Sequence, residues 1–273
     1  MNIEELARSF PPSPRGNNAE WWDERNLHWE RMRDQNISLR ALDDQRILRM
    51  TDFLLSHKLL AADTTVLDLG CGPGRYACSM ARHCANVTGI DISPHAIQIA
   101  RAEAAAQGIK NASFKVMAYH DVSKLACSYN LLFAMFSAAF FDLDFLLASR
   151  SFCHGAGCLC VYTHRYDEIK DSISKKLFGR PAEQYRDTEA FSALFSILLR
   201  LGYEPQVSYI KEQYTEERIL NSGYAADLAQ VLSPADGSSI EQEVYQLLRA
   251  RSNDNIVRSK VSGTLAQLWW SYR

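Results

Sequence analysis

The stretch Thr65-Val-Leu-Asp68-Leu-Gly70-Cys71-Gly72-Pro73-Gly74-Arg75-Tyr-Ala77 decides how the rest of the chain is read. Val66, Leu67 and Leu69 are apolar and β-prone, so the stretch opens as a buried strand. Three glycines spaced two apart end it, and Tyr76 to Cys84 reads as a helix. A strand that passes through glycines into a helix aims backbone N–H groups and a positive helix end at one point, with no Cβ to hold a ligand off the main chain. Gly70 and Gly72 fit the first two positions of the dinucleotide fingerprint G-x-G-x-x-G/A, but the third falls on Arg75, and Pro73 removes an N–H from the turn. No Gly-Lys-Ser/Thr follows, which excludes a Walker loop.

A second acid lies further on, in Val87-Thr-Gly-Ile-Asp91-Ile92-Ser93-Pro94. Val87 to Ile90 reads as the next strand, with Asp91 at its carboxyl end. Ser93 suits an N-cap and Pro94 the first helical turn. A carboxylate about twenty residues beyond the first glycine is placed to accept hydrogen bonds from ribose hydroxyls. The competing reading is a helix cap, a role Ser93 already fills. Asp68, Gly70, Gly72 and Gly74 together resemble the first motif, D/E-x-G-x-G-x-G, of class I S-adenosylmethionine (SAM)-dependent methyltransferases. That resemblance covers about residues 40–215. It implies a Rossmann-like, doubly wound α/β fold with a mostly parallel seven-stranded sheet, and SAM as cofactor. Asp68, Gly70, Cys71, Gly72 and Gly74 would form the cradle, with Asp91 and Ile92 at the ribose.

Bulk properties narrow the partners. The chain has 273 residues and a formal net charge of −2, without the basic stripe a nucleic-acid binder needs. No stretch of eighteen apolar residues predicts a membrane span. The first residues lack a signal-peptide layout, and seven cysteines scattered through predicted elements fit reduced thiols. The expected setting is cytoplasmic, and a homodimer is the assembly allowed for.

Residues 1–37 read as an N-terminal addition. A polar, extended arm (1–18) carries Pro11, Pro12, Pro14 and Gly16, and a helix from Asn18 to about Arg33 follows. Trp22 and Trp29 lie seven apart on one face of it. Either they pin the helix to the domain or the helix is a lid over the cofactor cleft, with His28 or Trp22 near substrate; both can hold. Residues 38–273 are expected, from the resemblance, to form the methyltransferase domain. Helices are expected at Ser38–Leu60 and Pro94–Gln107, closed by Gly108, and a third strand at Ala112–Met117. Many relatives carry Gly-Asp after this strand, to hold adenine. Here that position is Ala118, so Tyr119, with the Tyr119 or His120 side chain packing nearby, is expected to meet adenine. His120 is equally read as an exposed loop residue.

Tyr129–Ser137 is a continuously apolar fourth strand, as a central parallel strand should be. Its end, Ala134, Met135 and Phe136, is expected to touch the cofactor. It resembles the family's Phe-Asp-hydrophobic strand with Asn130 in place of Asp. After a helix at Phe140–Cys153, Gly155-Ala-Gly-Cys resembles the family's Pro-Gly-Gly turn before a fifth strand, Leu159–Thr163. Cys158 and Cys160 share a face of it and read as core thiols rather than metal ligands. His164, Arg165 and Tyr166 would lie at that strand's end. His164, aided by Tyr166 or His28, is the candidate proton acceptor; the alternative is a polar residue with no catalytic task. A short cap helix is expected within 172–184 and a helix at Thr188–Leu201. A sixth strand, Tyr203–Tyr214, is followed by a helical insertion at about 215–258, and Gly263–Tyr272 closes the sheet.

The implied reaction is methyl transfer from SAM to a small-molecule acceptor, which needs alignment more than acid–base chemistry. A SAM-binding protein without methyl transfer is the alternative, kept open by Ala118 and Asn130. A Rossmann oxidoreductase is opposed by Arg75.

Overall fold

The computed structural model describes residues 2–10, 18–35, 37–125, 127–182, 185–186, 188–232 and 239–272. The quoted stretch is a strand, β1 (Thr65–Leu69), and α4 (Arg75–Ala81) follows its glycines. Around them run β2 (Asn86–Asp91), α5 (Pro94–Ala106), β3 (Ala112–Val116), β4 (Tyr129–Met135), α6 (Leu143–Ser149), β5 (Cys153–Asp167), α7 (Glu168–Phe178), β6 (Tyr185–Arg186), α8 (Thr188–Arg200), β7 (Gln206–Ile219), α9 (Ser222–Leu232), α10 (Glu241–Arg249) and β8 (Ile256–Ser271). Ahead of β1 lie α1 (Ile3–Ala7), α2 (Ala19–Gln35) and α3 (Ile37–Ser56). The strand order is β3-β2-β1-β4-β5-β8-β7, with β6 added beside β5. β3 to β5 are parallel, and β8 pairs antiparallel with β5 and β7.

Alternation along the strands builds the two faces. Leu67, Leu69, Leu132, Ala134, Leu159 and Val161 pack toward one apolar cluster with Phe191, Leu194 and Leu198 of α8. Val66, Leu131, Phe133, Cys158 and Cys160 pack toward the other with Met50, Leu54, Ala77 and Met80 of α3 and α4. Val66, Leu67 and Leu69 have no exposed surface; burying each such side chain is worth roughly 1.5–3 kcal/mol. Cys158 and Cys160 are equally enclosed, and burial pushes the Cys158 thiol up to about 12.

Several expectations need correction. The N-terminal arm, expected to be extended, holds α1, capped reciprocally by Asn2 and Glu5. Leu6 and Phe10 are buried, with Phe10 edge-on to Phe141 at 5.7 Å. Residues 11–17, with the arm's prolines, lie outside the described residues. Gly155-Ala-Gly is no turn but part of β5. A Cβ on Gly155 would lie 1.9 Å from the Asn130 carbonyl oxygen, and one on Gly157 would lie 2.2 Å from the Trp270 ring. These glycines admit neighbours rather than bend the chain. The insertion is shorter than expected, because β7 runs to Ile219 and β8 starts at Ile256. Between these strand ends α9 and α10 pack with α7 around Ile169, Ile173, Val244 and Leu248, a separate small core beyond the sheet.

Candidate functional site

The parallel strands β1, β2 and β4 end together, and their ends make the site. Gly70, Gly72 and Gly74 all have left-handed φ, +72°, +51° and +74°. The N–H groups of Gly70 and Cys71 donate to the Ile90 carbonyl, both at 2.9 Å. The next free N–H, on Gly72, donates to Asp91 Oδ2 at 2.9 Å, and Ser93 N donates to Asp91 Oδ1 at 2.9 Å. Loop and acid are therefore built as one unit. The glycines differ in task. A Cβ on Gly70 would crowd Ser137 Oγ at 2.9 Å, and one on Gly74 would meet Ala100 and Phe114 at 2.7 and 2.8 Å. At Gly72 the nearest atom is Asn26 Oδ1, 3.9 Å away. The main chain is bare toward a ligand at Gly72, while Gly70 and Gly74 serve packing.

The donor set suits a nucleoside. Each Asp91 oxygen accepts one backbone N–H and keeps lone-pair capacity for a vicinal diol. Burial raises the Asp91 carboxyl, the two N–H bonds oppose this, and Asp23 adds to the rise. Asp68 is fully buried, its Oδ2 has no hydrogen-bond partner among the described residues, and burial plus the Asp91 charge lift it to about 8. The orphaned oxygen beside the bare loop leaves an acceptor open to a polar, cationic group.

Helix α2 covers this cradle. Asp23 accepts from Ser93 Oγ and from His95 N (3.1 Å) at the start of α5. Glu30 pairs with Arg75 at the start of α4, one bond being 2.9 Å. Asn26 is buried between them, its Nδ2 donating to the Trp22 carbonyl at 2.9 Å. These polar ties attach the helix at the cleft; of its tryptophans Trp21 and Trp22 are half-buried, while Trp29 is 45% exposed, with Trp22 at 6.3 Å and the Arg25 guanidinium 5.1 Å from its ring. The side chain of His28 lies outside the described residues.

After β3, residues Tyr119–Leu125 coil into a 3₁₀ segment. His120 Nε2 meets Asp142 Oδ2 at 2.8 Å, Tyr119 Oη donates to the same oxygen at 3.4 Å, and the two rings stack at 4.1 Å. Asp142 also caps α6. Asn130 lies at the opposite end of β4, where its Oδ1 accepts from Thr65 N and Oγ1 at 2.9 Å each. It pins β4 to β1 away from the cleft, so it bears on the fold and not on the chemistry.

Ala134 and Met135 are buried, but Phe136, with φ of +56°, turns out and is 45% exposed. It stacks on Tyr162 at 5.3 Å, 19° from parallel. Tyr162 donates to Glu212 Oε2 at 2.7 Å, and Arg46 reaches both Tyr162 Oη and Glu212, the latter at 2.7 Å. Burial drives the Tyr162 phenol far up, so it stays protonated, while Arg46 and Tyr162 hold Glu212 below the usual glutamate range against the cost of its burial. Sequence reading missed this group, since Arg46, Tyr162 and Glu212 sit on α3, β5 and β7 with no local motif to join them.

His164 and Tyr166 were expected past the end of the fifth strand; they lie within it, because β5 continues to Asp167. The ladder with β8 slips at Thr163: Tyr162 faces Leu265, and His164 already faces Thr264. The extra residue changes which side chains follow Tyr162 on its face. Arg165 takes that face, and His164 and Tyr166 take the other. Tyr166 Oη donates to Asp171 Oδ2 at 3.3 Å.

With this geometry in view, residues 60–185 match the family described as a methyltransferase domain. That match spans less than half of the chain and likens its core to a methyltransferase domain. A ubiquinone biosynthesis O-methyltransferase of Acinetobacter baylyi is 30% identical over 106 residues, 39% of this chain and 40% of that one. The chain thus spans less than half the length of that relative. Among solved structures, a putative type II methyltransferase from Anaeromyxobacter dehalogenans gives a TM-score of 0.53 at 15% identity, covering 82% of this chain and 95% of that one. Magnesium protoporphyrin IX methyltransferase from Synechocystis, with bound SAH, gives 0.52 at 14%, covering 90% and 96%. Both similarities concern the fold.

Proposed function

We propose that the chain transfers the methyl group of SAM to a small-molecule acceptor. The observation that carries this is the bond from Gly72 N to Asp91 Oδ2, which builds the glycine loop and the diol-binding acid into one unit. Asp91 and Ile92 would hold the ribose, Gly70 to Gly74 the methionine portion, Tyr119 and His120 the adenine side, and Ala134 to Phe136 the face toward the acceptor. SAM supplies a methyl group that already carries its leaving group. The chain's own part is to position the two reactants and exclude water, an effect worth several kcal/mol, roughly 7–11 when complete. Strand β4 delivers Phe136 to the cleft, the Arg46–Glu212 pair fixes the Tyr162 ring behind it, and α2 closes the cradle from above. Asp68, beside the cradle, would face the cofactor's cationic end. Where the acceptor is protonated, His164, Tyr166 or His28 would take its proton, the first two only from an acceptor that reaches the face of β5 opposite Tyr162. The O-methyltransferase similarity and the absence of a basic stripe support a small acceptor, and a homodimer in the cytoplasm is the setting proposed.

The test is calorimetry with S-adenosylhomocysteine (SAH), followed by incubation of radiolabelled SAM with small-molecule and macromolecular fractions of a cell extract. Binding of SAH and label in the small-molecule fraction are expected. SAH binding without label in any fraction supports the non-transferring alternative, and no SAH binding overturns both.

A further inference from the structure

Strand β7 is one edge of the sheet: among the described residues it pairs with β8 alone. Its 14 residues hold one unbroken register, so no bulge bends the edge away, and no proline interrupts it. Natural sheets blunt an open edge by such devices or by keeping it short. The opposite edge does the latter, since β3 has 5 residues. One bond shows which main-chain groups of β7 point outward. Leu220, which continues the register opposite Asn255, donates its N–H to the Asn255 carbonyl at 2.8 Å. Hydrogen-bonded pairs alternate along an antiparallel ladder. Even-numbered residues of β7 therefore turn their main-chain groups to β8, and odd-numbered ones turn theirs to the edge. The side chains of Tyr209, Lys211, Gln213, Thr215, Glu217 and Ile219 also share one face. All but Glu217 are exposed, and the two apolar ones, Tyr209 and Ile219, are 56% and 45% exposed.

Two copies of such a strand related by a two-fold axis pair antiparallel, and the residue on the axis fixes every other partner. With Tyr214 on the axis, Lys211 meets Glu217 of the second copy, Tyr209 meets Ile219, and Gln213 meets Thr215, each twice by symmetry. Opposite charges and an aromatic ring against a β-branched side chain are the cross-strand pairs that stabilise antiparallel sheets. Moving the axis by one residue breaks the match: at Gln213, Tyr209 would face Glu217, and at Thr215, Lys211 would face Ile219. Glu217 also holds Arg258, opposite it on β8, at 2.7 Å, so lysine, glutamate and arginine would alternate in sign across three strands. On the other face Glu212 would lie opposite Glu216, but each holds an arginine of its own chain, Arg46 and Arg218, at 2.7 Å. We infer that β7 is the surface on which a second copy of this chain docks, joining the two sheets into one across Tyr214. The inference gives the proposed homodimer its interface and rests on that assembly, not on methyl transfer.

Sedimentation velocity over a concentration series should show the full wild-type chain as a dimer that dissociates on dilution. Gln213→Pro removes an outward N–H and no bond to β8, and proline is tolerated on edge strands. It should leave the circular dichroism spectrum unchanged and weaken dimerisation at least tenfold. Lys211→Glu, which sets like charges opposite each other, should weaken it several-fold. Crosslinking reads the register. Tyr214→Cys puts a thiol on the axis in a non-hydrogen-bonded pair, with Cα atoms about 4.5 Å apart, within disulfide reach. Mild oxidation should then give a covalent dimer that neither Thr215→Cys nor the wild-type chain, with its exposed Cys127, forms. A wild-type chain that stays monomeric overturns the interface and the homodimer together and leaves the edge to a strand of another protein. A dimer undiminished by Gln213→Pro overturns the interface alone, and so does a covalent dimer from Thr215→Cys without one from Tyr214→Cys. Should Gln213→Pro fail to fold, Lys211→Glu and the crosslink decide.

Discussion

Asp68 and Asp91 occupy one small volume at the ends of β1 and β2, and their ionisation is expensive there. Asp68 releases its proton near pH 8 when folded, against 3.8 as the ordinary value, because it is buried and faces the charge of Asp91. Between those values the folded chain binds more protons than the unfolded one, so stability falls as pH rises across that window. The apo protein should therefore melt at progressively lower temperature from pH 5 to 8, and Asp68→Asn should remove most of that slope; thermal unfolding at several pH values measures it. Asp91→Ala is expected to weaken SAH binding by more than tenfold, at least 1.4 kcal/mol, with the circular dichroism spectrum unchanged. Both acids were legible from their spacing to the glycines. The orphaned oxygen of Asp68 was not, since it depends on what β2 and α4 place around it. Tyr162 and Glu212 were also out of reach: 50 residues separate them, and only strand pairing brings them together.

Helix α2 shows how an element can be foreseen while its attachment is not. Its helical span was readable, but the tryptophans drew attention from Asp23, Asn26 and Glu30, which make the polar contacts. If Glu30–Arg75 and Asp23 at the start of α5 hold α2 in place, then Asp23→Ala with Glu30→Ala should loosen it without unfolding the domain. Hydrogen exchange across residues 19–35 should rise, and SAH dissociation in stopped-flow should quicken several-fold. Unchanged exchange would mean that other contacts fix the helix. Strand β5 is the opposite case. Its glycines read as a turn because Gly155-Ala-Gly-Cys resembles the family's Pro-Gly-Gly turn, whereas the Asn130 carbonyl beside Gly155 and Trp270, opposite Gly157 in the ladder, require them. Gly157→Ala forces a methyl against that ring, and overpacking of this kind costs about 1–3 kcal/mol; urea denaturation should show a loss of that order. The α1 cap had its own signal, Asn2 three residues before Glu5, obscured by the prolines that follow.

At the scale of the whole molecule, the parallel half of the sheet carries the glycine loop and Asp91, and the long antiparallel β7 and β8 complete the sheet beyond β5. The first half was readable because consecutive elements alternate strand and helix with short connections. The second half was harder, since β7 and β8 are joined through α9 and α10 and extend well beyond the expected hairpin. No described helix is long and apolar enough to cross a membrane. The central claim is that the loop of Gly70 to Gly74 and the Asp91 carboxylate hold one nucleoside between them. A crystal structure with SAH tests it most directly. The ribose hydroxyls should lie within hydrogen-bonding distance of Asp91, with the amino acid portion against the main chain at Gly72. A ribose bound elsewhere, or an Asp91 that touches no part of the ligand, would contradict the account.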